Sequence, residues 1–432
     1  MNEEFLKDIH AAHFIGIGGI GVSAVARMML IRGVSVTGSD RISSPITEKL
    51  ETEGAKVFIG HDAANVPEVC DLVVYSPAVP ENNPELRIVR ERGVQILSYP
   101  EALGMISRGM RTVAVSGTHG KTTTTAMIAG VLAGAHKNPT VIVGSLMKSG
   151  SNFISGTSDI FVVEACEYKH SFLNLSPEIL VITNIDNDHL DYYGTLEGVQ
   201  KAFGELVQKV PVGGAIVCDP SDPRVAPVLT KAVAKIVDYQ LGNPTSKLVL
   251  QVSGEYNIKN AKAALAVARI LAVDEVEATK LLAKFEGTWR RQELKGKTEN
   301  GAFVYDDYAH HPTEIRATLQ GFRAKYPTGK IRAIFQPHLY SRTKLLLNEF
   351  AESFTDADEV IIVPIYAARE KPDPEITAEK LAQAIKAHHK NVRVLGEFSA
   401  VEKYIRTTIQ KDDIIITMGA GDVFKIGESL IR

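Results

Sequence analysis

The chain has 432 residues, 45% hydrophobic and 23% charged, with a net charge of −3. That composition is ordinary for a globular protein and gives material for about two to four packed domains. With no basic block along the chain, the balance argues against nucleic acid or an anionic membrane surface as the main partner.

Cys70, Cys166 and Cys218 are far apart and odd in number, so they build neither a metal spacing nor a disulfide framework. Tolerated thiols of this kind suit a reducing compartment, and the chain is expected to be cytoplasmic. Met1 to Asp8 is acidic and polar, unlike a signal peptide. No run approaches about 18 uninterrupted apolar residues, so no membrane span is expected.

Strand-like and helix-like runs alternate nearly throughout, which predicts an α/β protein with mainly parallel sheets. The first block runs to about residue 107. His13-Phe14-Ile15 is a predicted strand, Gly16-Ile17-Gly18-Gly19-Ile20-Gly21 follows it, and Val22 to Ile31 reads as a helix. A strand, a glycine loop and a helix in this order seat a diphosphate on the helix N-terminus. Asp40 closes the next predicted strand, Val34 to Gly38, where a ribose-binding acid is expected. Read alone, this motif points to an NAD-dependent oxidoreductase; what it supports locally is a nucleotide diphosphate of unspecified kind. Leu72 to Ser76 is a later strand, and Pro80 to Pro84 a turn-rich loop.

The second block opens on the predicted strand Thr112 to Val115. Ser116-Gly117-Thr118-His119-Gly120-Lys121-Thr122-Thr123-Thr124 comes next, then a helical run from Thr125 to Leu132. This is the layout of a phosphate cradle, with Lys121 reaching terminal phosphates and Thr122 or Thr123 holding Mg²⁺. The full G-x-x-x-x-G-K-[ST] pattern needs glycine where Val115 stands, so the loop is a subtype. Ile160 to Glu164 and Ile179 to Asn184 are predicted strands, the second leading into Asp186-Asn187-Asp188-His189-Leu190-Asp191. Carboxyl ends of parallel strands line the ligand crevice, so Glu164 and His189 can converge on the loop as ligands of Mg²⁺ or Mn²⁺. Without Lys121 nearby, His189 would read as a satisfied loop residue. Ala261 to Ala272 is a helical run near the block's end.

The third block begins near residue 294. Its predicted strands are Ala302 to Asp307, Ile331 to Phe335, Glu359 to Val363 and Asp413 to Met418. Tyr305-Asp306-Asp307-Tyr308-Ala309-His310-His311-Pro312-Thr313-Glu314 crowds acids and histidines after a strand; a helix cap is the plain alternative for its Thr313-Glu314 end. Gln336-Pro337-His338-Leu339-Tyr340-Ser341-Arg342-Thr343 offers Arg342 as a bidentate partner for a carboxylate, against the alternative of a surface arginine. Gly419-Ala420-Gly421-Asp422 is a strand-end glycine turn.

These six motifs, in this order over three blocks, make the chain resemble the Mur ligase family. The resemblance covers essentially the whole sequence. It implies three domains: a Rossmann-like UDP-sugar-binding domain at 1–107, a central P-loop-type ATP-binding domain at 108–293, and a Rossmann-like C-terminal domain at 294–432 for the amino acid and nucleotide. It implies ATP-dependent ligation of L-alanine to the lactyl carboxylate of UDP-N-acetylmuramate, through an acyl phosphate, in peptidoglycan precursor synthesis. Lys121, Glu164, His189, His338 and Arg342 would then be catalytic, with Thr122, Thr123, Glu164 and His189 around Mg²⁺ (or Mn²⁺).

ATP would meet Gly117, Thr118, His119, Gly120, Lys121, Thr122, Thr123, Asn257, Asn260, Arg291 and Asp307. The substrates would meet Gly16, Gly18, Gly19, Gly21, Asp40, Ser76, His310, His338 and Arg342. Many members carry Glu-Ala-Asp-Glu-Ser-Asp where this chain has Glu164-Ala165-Cys166-Glu167-Tyr168-Lys169, a histidine where it has Tyr256, and an arginine where it has Leu339. The alternatives are a recycling ligase that adds a tripeptide to the same sugar nucleotide, the oxidoreductase, and a nucleotide-gated binding module. Oligomeric state is not legible.

Overall fold

The computed structural model describes residues 8–147, 150–241, 248–368 and 370–431. The leader reading of Met1 to Asp8 falls mostly on residues 1–7, outside the described residues. The chain divides into two compact units, Met1–Val249 with Lys259–Ala283, and Leu250–Ile258 with Lys284–Arg432. No helix among the described residues is long and apolar enough to cross a membrane.

The first unit holds two sheets. Strands β1 (Ala11–Ile15), β2 (Ser35–Asp40), β3 (Lys56–Ile59), β4 (Leu72–Tyr75) and β5 (Gln95–Ser98) pair in the order β3-β2-β1-β4-β5, all parallel. The order reverses at β1, so the glycine loop after β1 opens at the switch point where such sheets bind ligands. The helices after β2 and β5 start on strong signals: Ser44 caps Pro45–Thr52, and Ser98 with Glu101 forms a capping box for Tyr99–Ser107.

The second sheet comprises β6 (Arg111–Ser116), β7 (Thr140–Ile142), β8 (Phe153–Ile154), β9 (Ile160–Glu164), β10 (Ile179–Ile182), β11 (Ala215–Cys218) and β12 (Lys235–Asp238). Their order is β12-β11-β10-β6-β9-β7-β8. Only the β7–β8 pair is antiparallel. Strand β6 lies between β10 and β9, which makes its carboxyl end the second switch point. The middle strands read as continuous apolar runs because helices cover both faces, and Ile179–Ile182 is buried throughout. One contiguous apolar cluster spans both sheets, from Phe14 and Val74 to Phe161, Leu180 and Phe203.

The second unit carries β13 (Glu293–Lys297), β14 (Phe303–Asp307), β15 (Ile331–Phe335), β16 (Glu359–Ile362), β17 (Val392–Val394) and β18 (Ile414–Met418), in the order β13-β14-β18-β15-β16-β17. All pairs but β13–β14 are parallel. The carboxyl ends of β14, β18 and β15 therefore lie side by side. The helix Glu255–Ile270 crosses from one unit to the other in sequence.

Candidate functional site

The loop after β6 is shaped by two glycines that no other residue replaces. Gly117 has φ +130°, and a Cβ there would stand 2.0 Å from Thr183 Oγ1; Gly120 has φ +84°, with Asn260 Oδ1 at 2.6 Å. The loop is clipped to the end of β10. His119 N donates to Asn184 Oδ1 (2.9 Å), Thr183 Oγ1 to His119 O (2.6 Å), and Asp186 N to Thr118 Oγ1 (2.8 Å). Gly120 caps the helix Lys121–Gly134 with no side-chain bond, which leaves the helix start open toward an anion.

Lys121 opens that helix. Its Nζ donates to Gly117 O (2.6 Å), Thr118 O (2.9 Å) and Glu167 Oε1 (3.0 Å). Burial disfavours the ammonium, but the carboxylates of Glu167 and then Glu164 outweigh it and hold its pKa above the usual lysine range. Thr122 Oγ1 donates to Glu164 Oε1 (3.1 Å), and Gly144 N to Glu164 Oε2 (2.9 Å). Thr122, not Thr123, is the threonine joined to this carboxylate; Thr123 is buried one residue further along the helix. His189 adopts φ +53°, with Nε2 3.7 Å from Glu167 Oε1 and its ring 4.8 Å from that of Tyr168. A hydroxyl, a carboxylate and an imidazole beside a lysine suit a divalent cation. The helix start, without a side-chain cap, turns its backbone N–H groups toward a phosphate, so these residues fit MgATP.

Three groups here were not singled out by sequence reasoning. Glu167, 2% exposed, is the counter-ion of Lys121. Asp186 pairs with His119 (3.2 Å) and with Arg224, and Asn184 clips the loop. The repeated Glu-x-x-Glu from Glu164 to Glu167 was the available signal for the first.

At the other switch point, Gly16 has φ +80° and Gly18 N donates to Asp40 Oδ2 (2.8 Å). Asp40 thus braces the glycine loop, with its second oxygen on Arg41 N. Gly16 N and Ile17 N both reach Ser39 O. Ser76 lies against Gly16, 3.0 Å from where a Cβ would stand. The helix Ile20–Ile31 is capped by Gly19 without a side-chain bond, a second open helix N-terminus.

In the second unit, Asp307 ends β14 and accepts from Ala309 N (2.8 Å) and Gln292 N (3.0 Å). Burial pushes its pKa up to about 6, against the opposing pull of Arg291. The Arg291 guanidinium lies over the Tyr308 ring at 5.0 Å and 3.8 Å from Glu314. Arg342 NH1 donates to His338 Nδ1 (3.1 Å), and His338 stacks on Tyr366 and meets His310 edge-on at 5.7 Å. His310, His338 and Arg342 are therefore one cluster beyond the sheet edge.

The cap reading holds for the end of the His310 segment: His311 and Glu314 form the capping box of Pro312–Lys325. Arg290 is structural, bonded to Asp306, Gly419 O and Gly421 O. Asn257 donates to Ser253 O within the second unit, whereas Asn260 belongs to the first, beside Gly120.

Against known families, residues 11–111 match "Mur ligase family, catalytic domain", residues 115–249 "Mur ligase middle domain", and residues 290–421 "Mur ligase, glutamate ligase domain". The chain is 41% identical to the UDP-N-acetylmuramate–L-alanine ligase of Clostridium acetobutylicum, over 97% of each chain. It is 40% identical to that of Clostridium kluyveri, over 99% of each. Among solved structures, the UDP-N-acetylmuramate–alanine ligase of Thermotoga maritima superposes with a TM-score of 0.81 at 29% identity over 98% of each chain. A murein peptide ligase from Psychrobacter arcticus follows at 0.71 and 25%, again over 98% of each.

Proposed function

The chain belongs to the Mur ligase family, and from that premise we propose that it joins L-alanine to the lactyl carboxylate of UDP-N-acetylmuramate. ATP is consumed and ADP and phosphate are released, in the assembly of peptidoglycan precursors. The observation that carries the reading is the convergence of Lys121, Thr122 and Glu164 at one switch point. Near-full-length relatives at 41% and 40% identity are UDP-N-acetylmuramate–L-alanine ligases, which supports the same reading.

The sugar carboxylate attacks the γ-phosphorus and ADP leaves, giving an acyl phosphate; the amine of L-alanine then attacks the acyl carbon and phosphate departs. Such transfer needs positioning and charge neutralisation more than covalent help from the protein. The Gly117–Gly120 backbone and the start of the Lys121 helix cradle the phosphates. Lys121 takes up their charge as it exchanges Glu167 for phosphate. Thr122, Glu164 and His189 would hold Mg²⁺ (or Mn²⁺), which would supply the remaining charge neutralisation. Each charge-assisted contact contributes about 1.5–3 kcal/mol.

The Gly16–Gly21 loop with Asp40 and Ser76 takes the UDP end, which replaces the oxidoreductase reading. In the second unit Arg342, with His338 and His310, receives the amino-acid carboxylate, and Arg291, Asp307 and Asn257 serve the nucleotide. We assign residues 1–107, 108–293 and 294–432 to the three domains, and the reaction to the cytoplasm, in keeping with three free cysteines.

The test is phosphate release with UDP-N-acetylmuramate, L-alanine, ATP and Mg²⁺. Release should require both co-substrates and the metal. Faster release with a tripeptide than with L-alanine would favour the recycling ligase, and none with either would overturn the proposal.

A further inference from the structure

Two turns of the chain meet beside Lys121, and each holds residues in a backbone conformation that side chains disfavour. In the first, Glu167 to His170, Lys169 has φ +52° and His170 φ +58°. In the second, His189 has φ +53° and stands just before the helix Leu190–Tyr193. Left-handed residues that carry a side chain persist only where their surroundings fix them, and they gather at functional sites. No glycine relieves either turn at these positions, so tertiary contacts have to hold them.

Those contacts are reciprocal. The Tyr193 hydroxyl, on the second turn, donates to the main-chain oxygen of Glu167 on the first. The Tyr168 ring, on the first turn, lies 4.8 Å from the ring of His189 on the second. Each turn thus sends an aromatic side chain to the site residue of the other. His170 Nδ1 and the Tyr192 hydroxyl share a hydrogen bond of 2.9 Å, and the His170 ring meets that of Tyr193 edge-on at 5.3 Å. Within each turn, His170 N donates to Glu167 O and Tyr193 N to His189 O, both at 3.0 Å. Glu167 O therefore accepts from both turns, while its carboxylate reaches Lys121 Nζ (3.0 Å) and lies 3.7 Å from His189 Nε2. All of these residues belong to one compact unit. The reaction as drawn makes no use of Tyr193.

We propose that Tyr193 is a positioning residue: its hydroxyl ties the Glu167 turn to the His189 turn and so holds the His189 imidazole where the cation accompanying ATP is taken up. This inference rests on the ligase reading. Tyr193 acts through the two turns and not by contact with the cation or the nucleotide. Groups behind a metal ligand orient it, and their loss weakens metal affinity by about 10–100-fold.

The experiment compares the parent with Tyr193→Phe, which keeps the ring against His170 and removes only the hydroxyl. ATP affinity is measured by calorimetry without the other substrates, once with Mn²⁺ and once with EDTA in its place. UDP affinity is measured beside it as a check on the first glycine loop. The expected result is roughly tenfold weaker ATP binding with Mn²⁺, with ATP affinity in EDTA and UDP affinity unchanged. Adding Tyr193→Phe to His189→Ala should weaken Mn²⁺-supported binding no further, because the two residues act as one unit. Unchanged Mn²⁺-supported affinity would overturn the inference, even with a lower melting temperature, since the bond would then serve the fold alone. Equal weakening in EDTA, or an effect that adds to that of His189→Ala, would overturn it too. Failure of the ligase reading is seen separately, as a parent enzyme that releases no phosphate with UDP-N-acetylmuramate and either acceptor.

Discussion

At the residue scale, the informative side chains are those whose charge is balanced by one partner. Lys121 and Glu167 form such a pair, with 14% and 3% of their side chains exposed. Removing one partner of a buried ion pair costs about 3–5 kcal/mol when the other is left uncompensated. Glutamine keeps a hydrogen-bond acceptor, so Glu167→Gln should cost less, about 1–3 kcal/mol. Phosphate brings its own negative charge to Lys121, so saturating MgATP should narrow the melting-temperature gap between parent and variant. A gap that stays constant with nucleotide would show that Glu167 does not serve as the exchangeable counter-ion.

Asp307 has the opposite character. Burial raises its native pKa to about 6, above the ordinary aspartate value, so the fold prefers it protonated. Its contribution is full below the unfolded pKa and is lost as pH rises through 6. Asp307→Asn does not titrate. The unfolding free energy of the parent minus that of the variant should therefore fall by about 2 kcal/mol from pH 4.5 to 7.5, read by urea denaturation. A difference that is flat or rises with pH would contradict the burial of this carboxyl.

At the element scale, two glycines next to and within the same helix should respond in opposite ways. Gly117 lies at φ +130° against Thr183, so Gly117→Ala forces both a disfavoured backbone and a displaced β10 end. The variant should melt lower and lose nucleotide binding. Gly130 is exposed on the helix Lys121–Gly134, and a Cβ there meets nothing within 4 Å. Gly130→Ala should raise stability by about 0.5–1 kcal/mol with nucleotide affinity unchanged. Differential scanning calorimetry with and without ATP reads both, and a destabilised Gly130→Ala would show that the helix is constrained there.

The same element shows why sequence succeeded here and failed elsewhere. Strand, loop, lysine and helix are consecutive, so Ile160–Glu164, Ile331–Phe335 and the phosphate loop were legible from periodicity and glycine placement. Lys56–Ile59, Phe153–Ile154 and Val392–Val394 were not, being strands of two to four residues whose pattern is too short to carry a period. Glu167 was passed over because its partner is Lys121, a contact across 46 positions that no local pattern encodes.

At the scale of the whole molecule, sheet order and the membership of the units lie beyond sequence reading. Residues 250–258 pack with the C-terminal unit although residues 259–283 of the same helix region return to the first. That division depends on which faces find apolar partners, and the helix pattern runs through it unbroken. Within the first unit, a polar clamp joins the two sheets. Asn152 beside β8 donates to Ile20 O and to Ser23 Oγ (3.2 Å), and accepts from Arg27 NH1 (2.6 Å). Arg27 is only 4% exposed and its other partner is Glu53 at 2.7 Å.

Asn152→Ala would leave a nearly buried guanidinium with one side unbonded, at a cost of about 2–3 kcal/mol. Because the clamp fastens Ile20–Ile31 to the β8 hairpin, the loss should appear at both ends. Hydrogen exchange should quicken together in Ile20–Ile31 and in Phe153–Ile154, while β14 and β18 keep their protection. Faster exchange in only one of the two segments would mean that the sheets are held together by their shared apolar cluster alone. Joint loss would make Asn152 the polar tie between the helix after the first glycine loop and the sheet that carries the lysine loop.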